Sequence, residues 1–217
     1  MKRGVVSTDG PTRTEHPVNQ AGIPSAPTGS LPAPADASMT RVGVAVDIPE
    51  PWGSLLTRRR AEAGDPQAAY VPAHLTLLGP TEIARSSLPA VEKHLAEVAA
   101  GFPPYLLHLR GTGTFRPVTE VVFVAVAAGI SECELLAEAI RSAPELRRET
   151  RFPYHPHVTV AQDVPSEALD KVYEDLADFS ALFEVDKFTL FSHDGQARWQ
   201  PRRDFALTGT PGNLPRR

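Results

Sequence analysis

The sequence holds one cysteine, Cys133, in 217 residues. A lone thiol cannot close an intrachain disulfide, and it cannot build a thiolate metal cluster. Long apolar runs are missing too. No stretch approaches the ~18 residues that a membrane-spanning helix needs, which excludes a helical membrane protein. The N-terminal MKRGVVSTDGPTRTEHP opens with two basic residues, Lys2 and Arg3, with no apolar segment behind them, so a cleaved leader is not expected and a cytoplasmic protein is. Neither sign of charge dominates. With 22 Lys and Arg against 26 Asp and Glu, the net charge is −4, and the chain cannot coat nucleic acid by bulk charge. Any dealings with nucleic acid must be local, at a small site.

Proline, by contrast, is abundant, at 22 residues. Pro11, Pro17, Pro24, Pro27, Pro32 and Pro34 fall in residues 1–39, a stretch with no aromatic residue and no hydrophobic periodicity. Such a segment buries too little apolar surface to offset the entropy of ordering its backbone, so a disordered tail is expected. Met39 ends it and could itself be the start codon. Residues 40–210 read as one domain and 211–217 as a frayed end.

Within that domain strands and helices alternate. Val42, Val44, Val46 and Ile48 share one face of a strand. Pro51 opens a helix that Gly64 closes. A strand is expected over 70–78, ended by Gly79-Pro80. Ser87 is positioned to cap a helix through Leu88, Val91, Leu95 and Val98. Strands follow at 105–110 and 121–128, the latter apolar enough to be central. A similar order then recurs. Ser131 to Glu134 reads as a capping box before Leu135, Leu136 and Ile140, and 154–161 as a strand. Ser166 caps a helix carrying Leu169, Val172, Tyr173, Leu176 and Phe179. Strands at 188–191 and 199–207 are joined through His193-Asp194-Gly195, a hairpin signal. The pattern predicts an α+β fold with an internal pseudo-repeat.

The chemistry concentrates in two short matches. His74-Leu75-Thr76 and His157-Val158-Thr159 are both His-x-Thr with an apolar middle residue, in expected strands 83 residues apart. Residues i and i+2 of a strand project to one face, so each His shares a cavity with its Thr. An imidazole moves a proton near neutral pH, and a hydroxyl donates to a phosphate oxygen. Two such pairs supply an acid, a base and two anion donors, enough to break a phosphodiester without a metal. One match alone is what chance provides, or what sheet propensity selects. The pair gains its weight from matching strand context and matching places in the two halves.

On these residues the sequence resembles the 2H phosphoesterase superfamily, which is named for two His-x-Thr/Ser motifs and includes 2′-5′ RNA ligase-like proteins and cyclic nucleotide phosphodiesterases. The resemblance covers about residues 41–208 and is most specific in AHLTLLGP (73–80), GTFRPVTEVVFVAV (113–126) and YHPHVTVAQ (154–162). It implies a bilobal, pseudo-two-fold fold with antiparallel sheets lining a central cleft and helices packed outside. It also implies catalysis by His74 with Thr76 and His157 with Thr159, without a metal or other cofactor, with His157 the base and His74 the acid. The expected substrate is a 2′,3′-cyclic phosphate of a nucleotide or a short RNA end, or a related 2′-5′ linkage, acted on by a monomer. Gly79-Pro80 follow the first motif at once, where RNA ligase-like members carry a longer apolar run, which points to hydrolysis over ligation.

Four further residues are candidates for substrate binding. Phe115 could stack a base and Arg116 hold a phosphate. Arg151 could draw an anion to the cleft. Tyr154 points away from His157 in a regular strand unless Pro156 bends the chain. Two rival readings remain open. One is a non-catalytic module binding nucleotides or RNA ends in the same cleft. The other is a metallohydrolase in which His155 and His157 hold a metal with Asp163 or His193. Arg202-Arg203 reads as a charged edge that discourages strand pairing.

Overall fold

The computed structural model describes residues 38–150, 152–193 and 198–210. Most of the expected tail, the turn at Asp194-Gly195 and the end 211–217 lie outside them. Eight strands form one antiparallel sheet: β1 (Met39–Asp47), β2 (His74–Ala84), β3 (Tyr105–Thr114), β4 (Val121–Ala128), β5 (His157–Gln162), β6 (Ser180–Val185), β7 (Lys187–His193) and β8 (Trp199–Ala206). Their order across the sheet is β6-β3-β4-β5-β2-β1-β7-β8. Among the described residues, four α-helices accompany them: α1 (Trp52–Glu62), α2 (Leu88–Gly101), α3 (Ile130–Arg141) and α4 (Ser166–Asp175). The fold is α+β, as the pattern predicts.

The order reads as two mirrored lobes, β8-β7-β1-β2 and β6-β3-β4-β5, which meet where β2 pairs with β5 at Leu75 and Val158. The first lobe is not contiguous in sequence, because β3 to β6 build the second lobe before β7 and β8 return to the first. The units β1-α1-β2 and β4-α3-β5 correspond, and their helices are exchanged. Helix α1 packs on β5, and α3 packs on β2. Each motif strand is therefore backed by a helix from the other half of the chain.

Alternation decides which side chains enter the core. Leu75 and Leu77 of β2 and Val158 and Val160 of β5 are fully buried, while His74, Thr76, His157 and Thr159 on the opposite face are half-buried. Burying each of those aliphatic side chains contributes about 1.5–3 kcal/mol, and a one-residue slip would exchange them for the polar set.

Several elements differ from expectation. Strand β2 starts at His74, leaving Tyr70 in a turn, and runs through Gly79-Pro80 to Ala84. The registers Val42↔Thr81 and Val44↔Leu78 leave Gly79 and Pro80 together opposite Gly43. This bulge accommodates a residue without an N–H to donate. No capping box forms at Ser131. Helix α3 starts one residue earlier, after Gly129 at φ 91°, where a Cβ would come 2.8 Å from the Leu106 carbonyl oxygen. Ser87 makes no side-chain cap bond, and the cap position of α4 is held by Pro165, with Ser166 the first helical residue. Strand β3 continues past Arg110 to Thr114, and β5 begins at His157, three residues after Tyr154. The pattern does not foreshadow strand β6: α4 ends at Asp175, so Leu176 and Phe179 fall between the helix and this strand. Strand β8 is an edge, and Arg202 and Arg203 there also bind Glu92 of α2.

Candidate active site

The pairing of Leu75 with Val158 across antiparallel strands sets His74 opposite Thr159 and Thr76 opposite His157. All four side chains line one cleft of about 300 Å³ at the lobe junction. Each His thus has one Thr two residues along its own strand and another across the sheet.

Both imidazoles are held in the same way. His74 Nδ1 lies 2.8 Å from the Pro72 carbonyl oxygen, and His157 Nδ1 lies 2.7 Å from that of His155. A carbonyl only accepts, so each Nδ1 carries a hydrogen and each neutral ring keeps Nε2 as its basic nitrogen. The carbonyl before His74 is positioned from α1. Arg60 donates through Nε and Nη2 to Asp65 Oδ2 at 3.0 and 2.9 Å, and through Nη1 to the Val71 carbonyl at 3.1 Å. The Ala73 N–H donates to Thr57 Oγ1 at 2.9 Å. Arg60 and Asp65 are 2% and 4% exposed, so this ion pair is sealed beneath the loop that delivers His74.

An aromatic wall surrounds His157. Phe115 and Phe123 are 4.5 Å apart between centroids, and their rings lie 5.0 and 5.3 Å from the His157 ring. His155 completes the wall, 5.7 Å from Phe115. Gly113 makes room for it, since a Cβ there would meet the Phe123 ring at 2.5 Å. Tyr154 also faces the cleft. It precedes the regular strand, and its hydroxyl donates to the Thr76 carbonyl at 2.9 Å, tying the two lobes together.

Of the two arginines the sequence suggests, the described residues include only Arg116. Arg116 turns away to Asp170 of α4, Nη2 to Oδ1 at 2.6 Å, and does not line the cleft. Arg151 lies outside the described residues. Arg141 and Arg148 line the cleft, with the buried Arg60 at its base. Arg141 Nη2 donates to the Leu77 carbonyl at 2.8 Å with its guanidinium 4.7 Å over the Tyr154 ring, and Arg148 Nη1 donates to the Pro80 carbonyl at 2.8 Å. Nothing local marks Arg141 in the sequence. It ends a helix, a common place for a cation, and reaches the site only because α3 packs on β2. Of the metal candidates, His193 is buried with its ring 5.4 Å from Trp199. Among the described residues, no third His, Cys, Asp or Glu joins His155 and His157 in a group able to hold a metal ion.

Electrostatics distinguish the two histidines. Burial pushes His157 from the ordinary 6.5 down to about 4, against the pull of its carbonyl bond, and His155 and His74 push it the same way. His74 is also lowered by burial, but the Pro72 carbonyl and the Asp47 carboxylate both resist, with Arg60 adding to the lowering. At pH 7 the free site holds a neutral His157, suited to accept a proton. An anion bound between the rings would raise both values. The arrangement offers the Nε2 groups of His74 and His157, the hydroxyls of Thr76 and Thr159 and the guanidiniums of Arg141 and Arg148 around one space, a set that can bind a phosphate and exchange protons with it.

A family profile of the 2′-5′ RNA ligase superfamily matches residues 48–197. The chain belongs to this superfamily, the 2H phosphoesterases. A Halalkalibacterium halodurans protein named as a candidate phosphoesterase is 30% identical over 127 residues, covering 58% of this chain and 72% of that one. A Bacillus licheniformis protein of the same designation is 30% identical over 145 residues, or 66% and 85%. Among solved structures, Escherichia coli LigT in complex with NADP+ superposes with a TM-score of 0.54 at 22% identity, covering 79% of this chain and 99% of LigT. TT0787 of Thermus thermophilus gives 0.53 at 23%, covering 78% and 98%. These two likenesses establish the fold. The superfamily and the bacterial relatives support a phosphoesterase-type enzyme, and no helix of this 2H phosphoesterase is long and apolar enough to cross a membrane among the described residues.

Proposed function

We propose that this 2H phosphoesterase is a metal-independent phosphodiesterase that hydrolyses 2′,3′-cyclic phosphates of nucleotides or short RNA ends, or a related 2′-5′ linkage, as a single chain. The observation that carries this reading is the pairing of two carbonyl-oriented imidazoles, each beside a threonine, in one cleft. The LigT structures contain phosphate, 3′-AMP, ATP or NADP+, and a nucleoside phosphate is the ligand class we carry over.

In this mechanism Arg141, Arg148, Thr76 and Thr159 hold the non-bridging oxygens, and Phe115 stacks the base. Neutral His157 takes a proton from water as the water attacks phosphorus. His74, protonated once the anion is bound, gives a proton to the departing ribose oxygen. Acid, base and anion donors all come from the chain, so no step requires a metal. Tyr154 positions Thr76 through its backbone and touches no reacting atom. The test is turnover of 2′,3′-cyclic mononucleotides by purified protein before and after His74→Ala and His157→Ala. Loss of turnover in both is expected. Undiminished turnover in either overturns the reading, and binding without product at any pH would make the protein a binding module.

A further inference from the structure

Beside the cleft lies a second cavity of about 100 Å³, which shares His74, Thr76, Gly79 and Pro80 with it. Its floor is the sheet face at Gly43 and Ala45, and its walls include Phe191, Trp199 and Tyr70. Gly43 keeps the floor low: a Cβ there would stand 3.4 Å from both the Leu78 carbonyl oxygen and the Trp199 ring. Tyr70 is 50% exposed on the loop before β2, with the Arg198 guanidinium 5.9 Å over its ring. The charge of this chamber differs from that of the cleft. Asp47, registered opposite His74, is its lining carboxylate, and no Lys or Arg is among the described lining residues. A carboxylate repels phosphate but accepts from amino and hydroxyl groups.

We propose that this chamber is a nucleobase subsite that holds the leaving nucleoside of a linear phosphodiester between Trp199 and Tyr70. The inference rests on the functional reading above. There His74 protonates the departing oxygen; in a linear diester that oxygen belongs to a second nucleoside, not the one stacked on Phe115, and this second nucleoside leaves on the His74 side, where the chamber opens. A neutral planar ring with donor groups fits aromatic walls, a flat glycine floor and one acceptor carboxylate, and stacking on such walls is tolerant of base identity. The other nucleoside, on the His157 side, meets Phe115. The site is thereby matched to diesters that carry a nucleoside on each oxygen, and not only to cyclic mononucleotides.

The test is binding of 2′-5′-linked adenylyl adenosine by calorimetry in a His157→Asn background, which blocks turnover. Replacing Trp199 by Ala is expected to weaken binding about tenfold or more, while Trp199→Phe retains most of it and inorganic phosphate binds within twofold throughout. In a Trp52→Phe background the dinucleotide should quench the fluorescence of Trp199. If Trp199→Ala lowers the melting temperature sharply, Tyr70→Ala on the exposed loop is read instead, with the same loss expected. Dinucleotide affinity unchanged in the folded variants, or no quenching, overturns the subsite. Because the assay reads binding alone, absence of wild-type turnover would sink the hydrolytic reading without altering this result.

Discussion

The two motifs share strand geometry, a tautomer-fixing carbonyl two residues back and a threonine partner on each side, yet their surroundings diverge. His157 faces Phe115, Phe123 and a second imidazole, with no carboxylate among the groups that shift it. His74 stands opposite Asp47 and is set by a loop locked onto the buried Arg60–Asp65 pair. Duplicated backbone supplies two equivalent imidazoles, and neighbours from elsewhere in the chain make them unequal. Burial favours the neutral ring at both sites, and at His74 the Asp47 carboxylate pulls towards the protonated ring against the larger opposing charge of Arg60. The carboxylate that faces His74 and has no counterpart at His157 is the feature on which we assign the acid to His74 and the base to His157.

The comparison can be broken most severely at the rings themselves. His157→Ala and His74→Ala should each reduce kcat on a 2′,3′-cyclic mononucleotide by about 10²–10⁴-fold, the range for loss of a positioned acid or base. Next is the support under His74. Asp65→Ala leaves Arg60 buried without its carboxylate and should cost about 3–5 kcal/mol of stability, read from denaturant unfolding, because an uncompensated buried charge remains. The same change frees the loop before His74, so kcat should fall in any protein that still folds.

A smaller effect is expected on the phosphate side. Arg141→Gln should raise KM about tenfold, since hydrogen bonds to charged groups contribute about 1.5–3 kcal/mol, whereas Arg116→Gln should leave it within twofold because that guanidinium is committed to Asp170. A separate effect is on stability against pH. A histidine lowered to about 4 on folding binds fewer protons folded than unfolded between pH 4 and 6.5. Its contribution is therefore fully present above 6.5 and is lost as pH falls towards 4. His157→Asn should flatten the melting temperature in that window, as measured by a thermal melt series.

These comparisons also show how far a sequence carries. The His-x-Thr pairs were legible because a strand has period two, so Leu75 and Val158 declare the core face and the polar residues must take the other. Helices α2 to α4 were legible from apolar spacing, and α1 from Pro51 and Gly64 at its ends. What escaped depended on contacts distant in the chain. Arg141 reaches Leu77 across the exchanged helix α3, and Arg60 governs His74 through a loop folded back on α1. Arg116 looked well placed beside Phe115, but Asp170, 54 residues away, captures it. Gly79-Pro80 read as a stop because a bulge opposite Gly43 depends on the register of β1, which composition does not encode. Strand β6 escaped because Phe179 continued the apolar spacing of α4 past the helix end.

The dependence of kcat/KM on pH for a 2′,3′-cyclic mononucleotide tests the central claim most directly, because it reports the essential acid and base of the free enzyme. With His157 held near 4 and His74 below its ordinary 6.5, the account predicts a bell whose acid limb falls near pH 4 and whose alkaline limb lies below about 6.5. A flat profile, or a single limb above neutrality, would contradict it.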